Sequence, residues 1–149
     1  VMGVFHPELV SIQAKVLQLM GAEHALVVHG KDGLDEITLS GPTVVAELLN
    51  GQIKEYEISP GDFGIAASSL ESLKVRDANE SKSIILNVLD DRSGPAKDIV
   101  CLNAGATLYA ANCVPSIQVG VQMAKDAIAS GKAKQKLDEL ITLSQTLAG

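Results

Sequence analysis

The sequence carries no glycine-rich phosphate loop of the P-loop or dinucleotide type, no G-x-S-x-G, no C-x-x-C and no H-E-x-x-H. The familiar signatures of a self-contained phosphate-binding, serine-nucleophile, dithiol or zinc-protease centre are therefore missing. Positive charge is scarce: 12 Lys and Arg stand against 18 Asp and Glu, for a net charge of -6 and a pI near 4.9. An acidic surface disfavours a nucleic-acid partner, whose phosphates call for basic groups, yet carboxylates suit a hard divalent cation. The two cysteines, Cys101 and Cys113, sit twelve residues apart in an Ala-rich segment. That spacing fits no metal pattern and is too sparse for a disulfide scaffold. Both read as buried, reduced thiols, pointing to a reducing, cytoplasmic setting. No apolar run reaches the roughly 20 residues of a membrane span, and there are no internal repeats or low-complexity tracts.

What is there is a globular composition. The chain of 149 residues is 46% hydrophobic and 20% charged, which suits one domain with a real core. It opens on Val1-Met2-Gly3-Val4-Phe5, a short buried strand by character, with no signal-peptide pattern, so Val1 reads as an interior cut point of a longer protein. His6-Pro7-Glu8 starts a helix, with Pro7 in the first turn where its missing N–H costs nothing. Leu9, Ile12, Val16 and Leu19 recur on one face, and Gly21 stops the helix. His24 to Gly30 reads as a buried strand. Strand, helix and strand with tight loops predict a parallel, right-handed βαβ unit.

Beyond it, Glu36 to Ser40 reads as a strand broken by Gly41-Pro42, and Thr43 to Leu49 as strand or helical turn. Asn50-Gly51 is a strong hairpin signal, followed by a half-exposed strand in IKEYEIS. PGDFGIAASS is a loop. The second half predicts helices: one best from Ala78 to Leu89, a small-residue helix in AKDIVCLNAGATLYAANC after the Ser93-Gly94-Pro95 break, a third opened by Pro115-Ser116 and ended by Gly131, and a last one in KAKQKLDELITLSQTLA. The fold class is α/β, with helical apolar faces covering a sheet.

The segment VVHGKDGLDEITLSGPT poses the chemical question. The adjacent carboxylates Asp35 and Glu36 sit on a glycine-bounded loop after a predicted parallel strand. On a loop two neighbouring carboxylates can converge, and ligands of open parallel sheets collect outside the carboxyl ends of strands. Two hard oxygen ligands there suit Mg2+, which completes its shell with water and substrate phosphate; the plainer reading is a solvated acidic turn. His29 reads as a hydrogen-bonded structural residue rather than a ligand or base, Lys31 and Asp32 as exposed loop charges, and Asn103 as a buried capping or interhelix amide. Asp90-Asp91, poorly placed for the helix dipole, pair with Arg92 or sit in solvent. Ser68-Ser69 reads as a helix cap.

The run VVHGKDGLDEITLSGPTVVAEL, with MGVFHPELV upstream and ISPGDFG and LNAGATLYAAN downstream, resembles the C-terminal part of anthranilate phosphoribosyltransferases, from Val1 to about Gln145. The resemblance implies a mixed, mainly parallel sheet with flanking helices, incomplete in this chain. It also implies that residues 1–149 are the C-terminal part of an α/β catalytic domain. In that family a 5-phosphoribosyl group passes from phosphoribosyl pyrophosphate (PRPP) to anthranilate, with Mg2+ assisting, in tryptophan biosynthesis. The family's acidic pair, a Mg2+ ligand pair at the pyrophosphate, matches Asp35 and Glu36. The glycine-rich PRPP loop, the anthranilate-positioning residues and the helical domain that makes most of the family's homodimer interface are not in these residues. The isolated chain is accordingly expected to lack catalysis and to self-associate through an exposed sheet edge or apolar helix face. Two other readings stand beside this one: a pyrimidine nucleoside phosphorylase-like enzyme of the same architecture, and a non-catalytic binding module that reuses the fold.

Overall fold

The computed structural model describes residues 1–148. Four strands, β1 (Met2–Gly3), β2 (His24–Gly30), β3 (Thr43–Leu49) and β4 (Gln52–Ile58), form one sheet in the order β1-β2-β3-β4. Five helices accompany them: α1 (Glu8–Leu19), α2 (Ala78–Leu89), α3 (Pro95–Ala110), α4 (Ile117–Ala129) and α5 (Lys132–Leu147). β1 and β2 are parallel and joined by α1, as the strand-helix-strand pattern predicts. β2 pairs antiparallel with β3, and β3 with β4. This chain's share of the mixed sheet thus holds one parallel and two antiparallel pairings. Thr43–Leu49 is strand. The β3–β4 turn is made by Asn50 (φ 50) and Gly51 (φ 74), the double left-handed conformation that gives Asn-Gly its hairpin preference.

The two faces of the sheet are filled unequally. Along β2, Leu26 and Val28 point one way and Val27 the other, the period-two alternation of a strand. Leu26 and Val28 join Val45, Ile37, Leu39, Leu102 and Val121 in the larger core under α3 and α4. Val27 joins Val4, Val10, Ala14 and Ala46 in a smaller cluster under α1. The small residues of α3 serve a close crossing: a Cβ on Gly105 would lie 2.5 Å from the Val121 nitrogen, and one on Gly120 would lie 2.2 Å from the Gly105 carbonyl. α2 is capped by Asp77, whose carboxylate accepts from the Asn79 and Glu80 amides at 2.9 Å. Ser116 caps α4 through the Val119 amide.

Several sequence expectations need correction. The opening strand is two residues long and exposed; only Val4 after it is buried. The inward face of α1 is Val10, Ala14 and Leu17, not Ile12, Val16 and Leu19, which are 54%, 40% and 77% exposed. The helix carries two apolar stripes, and polar contacts flank the one that is buried. Ser11 donates to Glu55 at 2.6 Å and Gln18 donates to the Gly51 carbonyl at 2.7 Å. These contacts pull one flank of α1 to the β3–β4 hairpin. At 100° per residue they turn Val10, Ala14 and Leu17 onto the sheet and leave Val16 and Met20 on the opposite flank. Glu36–Ser40 is not a strand, although Ile37, Thr38 and Leu39 are buried. PGDFGIAASS holds a 3-10 turn at Pro60–Phe63. Cys101 is buried, but Cys113, just past the end of α3, is exposed. Asp90 and Asp91 pair with Lys134 and Lys97, at 2.5 Å each, rather than with Arg92. Ser69 caps a 3-10 turn at Leu70–Leu73, while the Ser68 amide bonds the Leu39 carbonyl.

Candidate functional site

The loop from Lys31 to Pro42 leaves the carboxyl end of β2 and returns to β3, so it stands at the edge of the sheet where ligands of parallel units gather. Its shape is fixed from inside. Gly30 N–H donates to the Leu34 carbonyl and Gly33 N–H to the Gly30 carbonyl, both at 2.8 Å; Lys31 N–H closes the base on the Pro42 carbonyl at 3.0 Å. Gly33 has φ 96, a conformation that suits a residue without Cβ. Asp32 is more than an exposed loop charge. Its carboxylate accepts from the Thr38 hydroxyl at 2.5 Å, from the Ser40 hydroxyl and from the Leu34 amide. Partial burial pushes this carboxyl up, but the hydrogen bonds from Ser40, Thr38 and Leu34 outweigh it and hold Asp32 below its ordinary value. Lys31 reaches across to Glu57 at 2.5 Å.

Asp35 and Glu36 ride on the crest of this loop, both exposed. The main chain of Asp35 lies over β1: a Cβ on Gly3 would fall 1.6 Å from the Asp35 carbonyl oxygen. Only glycine at position 3 permits that approach. Glu36, with Leu34, borders an apolar groove of about 630 Å3 between the Leu70–Leu73 turn, α2 and α3. Immediately after the pair, Ile37 drops into the core at 1% exposure, and the Asn103 amide of α3 bonds its main chain. Among the described residues neither Asp35 nor Glu36 is in an ion pair. Nor do three or more His, Cys, Asp or Glu side chains gather as a metal cage among them. A pair of free, hard carboxylate oxygens on a pinned main chain fits Mg2+, which needs one or two protein carboxylates and takes its other ligands from water and phosphate.

His29 is not brought into this pair. It is buried, and its Nδ1–H donates to the Val4 carbonyl at 2.8 Å, tying the end of β2 to the chain leaving β1. Sequence reasoning missed the roles of Asp32 and Asn103 in shaping the loop. It also missed a polar cluster at the opposite end of β2, where His24 Nε2 stands 3.2 Å from Glu47 and Nδ1 stands 2.7 Å from the Asn112 side-chain oxygen. The Tyr109 hydroxyl donates to the same Glu47 carboxylate at 2.6 Å. The hydrogen bond to Glu47, with burial and the carboxylate's charge, pushes Tyr109 up to about 12. Burial first, then Glu47, raises Tyr56 as well.

A mixed sheet covered by helices, with an acidic loop at the carboxyl end of a parallel strand, defines an α/β domain with a candidate ligand site at that strand end, and the comparisons with known proteins give it a family. Residues 1–134 match the glycosyl transferase family, a/b domain, and the chain belongs to that family. The anthranilate phosphoribosyltransferase of Polynucleobacter necessarius is 59% identical over 97% of this chain, and that of Chromobacterium violaceum is 56% identical over 99%. The crystal structure of anthranilate phosphoribosyltransferase from Thermus thermophilus superposes with a TM-score of 0.87 at 37% identity, over 95% of this chain. The Saccharomyces cerevisiae enzyme in complex with PRPP and Mg shares the fold, with a TM-score of 0.82 at 24% identity. The chain spans only 42% of the Polynucleobacter and Thermus proteins and 43% of the Chromobacterium one.

Proposed function

We propose that this chain is the C-terminal part of the α/β catalytic domain of an anthranilate phosphoribosyltransferase, a cytoplasmic enzyme of tryptophan biosynthesis. In this reading its Asp35 and Glu36 are the carboxylates that hold Mg2+ at the pyrophosphate of PRPP. The observation that carries the reading is the acidic pair itself: exposed, unpaired, and standing on a loop at the carboxyl end of a parallel strand, in a chain 59% identical to an enzyme of that name. In the whole protein the amine nitrogen of anthranilate bonds to the ribose carbon as that carbon's bond to pyrophosphate breaks, and the nitrogen gives up one proton. The metal, when bound, offsets the negative charge that develops on the departing pyrophosphate. The part of these residues is to hold hard oxygens at a fixed place while water and phosphate fill the other coordination positions.

In this reading the groups that cradle PRPP and position anthranilate lie in the remaining portion of the whole protein, and the chain spans only 42% of its Polynucleobacter and Thermus relatives. The outer edge of β1 and the exposed Val16 and Met20 on α1 are the surface that the same portion would cover. The isolated chain accordingly does not turn over anthranilate. With that surface bare it self-associates at high concentration, and a strictly monomeric chain would count against this.

The test is a chimera in which this chain replaces the matching segment of the Polynucleobacter relative. It transfers the phosphoribosyl group at a rate comparable with the parent. Asp35→Asn and Glu36→Gln each lower kcat by about 100-fold or more, with a raised Mg2+ requirement, the scale of removing a group that stabilises developing charge. An active chimera indifferent to both substitutions would refute the assignment.

A further inference from the structure

We infer that Asn103 is a positioning residue for the acidic pair. The inference rests on the reading of Asp35 and Glu36 as metal ligands. Asn103 lies on α3, sixty-six residues along the chain from Ile37, yet its side-chain amide holds both polar groups of that residue. Oδ1 accepts from Ile37 N–H at 3.0 Å and Nδ2 donates to the Ile37 carbonyl at 2.9 Å. A second bond from Nδ2 to the Ile99 carbonyl at 3.1 Å, one turn back in α3, locks the side chain against its own helix.

The pattern is that of a neighbouring strand. In a sheet, a residue facing its antiparallel partner exchanges one N–H and one C=O bond with it. Here a single carboxamide supplies both, because it carries a donor and an acceptor in one plane. That explains why Glu36–Ser40, with Ile37, Thr38 and Leu39 buried, pairs with no strand among the described residues: at Ile37 the ladder is replaced by one side chain. Only one orientation of the amide satisfies all three partners, since Oδ1 must meet the N–H and Nδ2 the two carbonyls.

The position of this clamp gives it a consequence for the site. Ile37 directly follows Glu36. Its buried side chain fixes the depth of the loop, and the Asn103 clamp fixes the rotation of the peptide group from which Glu36 projects. On the other side of the pair, Asp32 ties Leu34 to Thr38 and Ser40, and Asp35 packs on Gly3. Asp35 and Glu36 are thus held at both ends by main-chain contacts while their own oxygens stay free. Such preorganisation favours binding, because ordering the loop is not charged to the ligand.

The experiment measures Mn2+ affinity by electron paramagnetic resonance, together with the exchange rate of the Ile37 amide, in this chain and in Asn103→Leu, Asn103→Asp and Asp35→Asn variants. Asn103→Leu keeps the volume and removes all three bonds. It raises the Mn2+ dissociation constant about tenfold, and Ile37 exchange accelerates, in a chain whose far-UV circular dichroism still reports a folded protein. Asn103→Asp keeps an acceptor for the Ile37 amide but sets a second acceptor against the Ile37 and Ile99 carbonyls, so Ile37 exchange accelerates there too. Asp35→Asn abolishes the Mn2+ site with Ile37 exchange unchanged. Loss of Mn2+ binding in Asp35→Asn with unaltered affinity in Asn103→Leu overturns the positioning role while leaving the metal reading intact. Mn2+ binding indifferent to Asp35→Asn overturns the metal reading, and the inference with it.

Discussion

The two ends of β2 carry opposite kinds of polar chemistry. At the amino end, His24, Glu47, Tyr109 and Asn112 satisfy one another, and the His24 and Glu47 side chains are 3% and 12% exposed. At the carboxyl end, the polar work is done by the main chain, Asp32 and Asn103, and the two carboxylates they carry into solvent have no partner among the described residues. Both ends contain a carboxylate in a glance at the sequence. A carboxylate whose hydrogen-bonding capacity is spent inside the protein is structural. One that is free, on a loop whose neighbouring residues Leu34 and Ile37 are hydrogen-bonded on either side of it, is available for a ligand. The difference lies in who the partners are, and it can be broken by experiment at either end.

The largest effect is expected at the amino end. Glu47→Ala strips the shared acceptor from Tyr109 and the partner from His24, leaving a buried imidazole and a half-buried hydroxyl without that partner. Urea unfolding should show a loss of about 2–4 kcal/mol, with Mn2+ binding at the far end unchanged. Gly3→Ala attacks the carboxyl end through its packing. The added methyl meets the Asp35 carbonyl at 1.6 Å, and the resulting shift of main chain should cost about 1–3 kcal/mol and weaken Mn2+ binding as well. The double substitution Asp35→Asn, Glu36→Gln should do the reverse of Glu47→Ala: stability within about 0.5 kcal/mol of the parent, as for exposed residues outside any network, and no Mn2+ site.

The smallest effect is one of pH, and it has opposite signs at the two ends. Asp32 is held below its ordinary value when folded, so its contribution is present above the unfolded carboxylate value of about 3.9 and is lost as pH falls through the folded one. Tyr109 is raised when folded, so its contribution is present below the unfolded value of about 10 and is lost as pH rises toward about 12. Amide exchange measured at low and high pH should therefore loosen the Lys31–Pro42 loop first in acid and the His24–Tyr109 contact first in alkali. Loosening of both ends together at one extreme would dissolve the distinction.

How far the sequence disclosed this follows from the range of the interactions. The βαβ unit, the Asn50-Gly51 turn and α2 were legible because local periodicity, turn conformation and capping residues determine them. The site was legible only as two adjacent acids on a loop. What shapes that loop was not, because its partners come from far along the chain: Asn103 lies on α3 and Gly3 on β1. For the same reason Glu36–Ser40 imitated a strand, having the composition of one while side chains bond the main chain of Ile37, Thr38 and Ser40 and the Ser68 amide bonds that of Leu39. α1 offered two apolar stripes, and the buried one is told apart by long-range contacts, its packing on Val27 and Ala46 and the Ser11 and Gln18 bonds to the hairpin. The Tyr109–Glu47–His24 cluster joins an α3 residue to β2 and β3, and no spacing in the sequence announces it.

The most direct test of the account is to map where a metal sits on the chain. Mn2+ added to the 15N-labelled protein broadens the amide resonances of nearby residues. The account predicts broadening centred on residues 33 to 38 and reaching Met2 and Gly3 beneath them, with His24, Glu47 and Tyr109 sharp. Broadening spread evenly over the surface carboxylates, or centred at the amino end of β2, would contradict it.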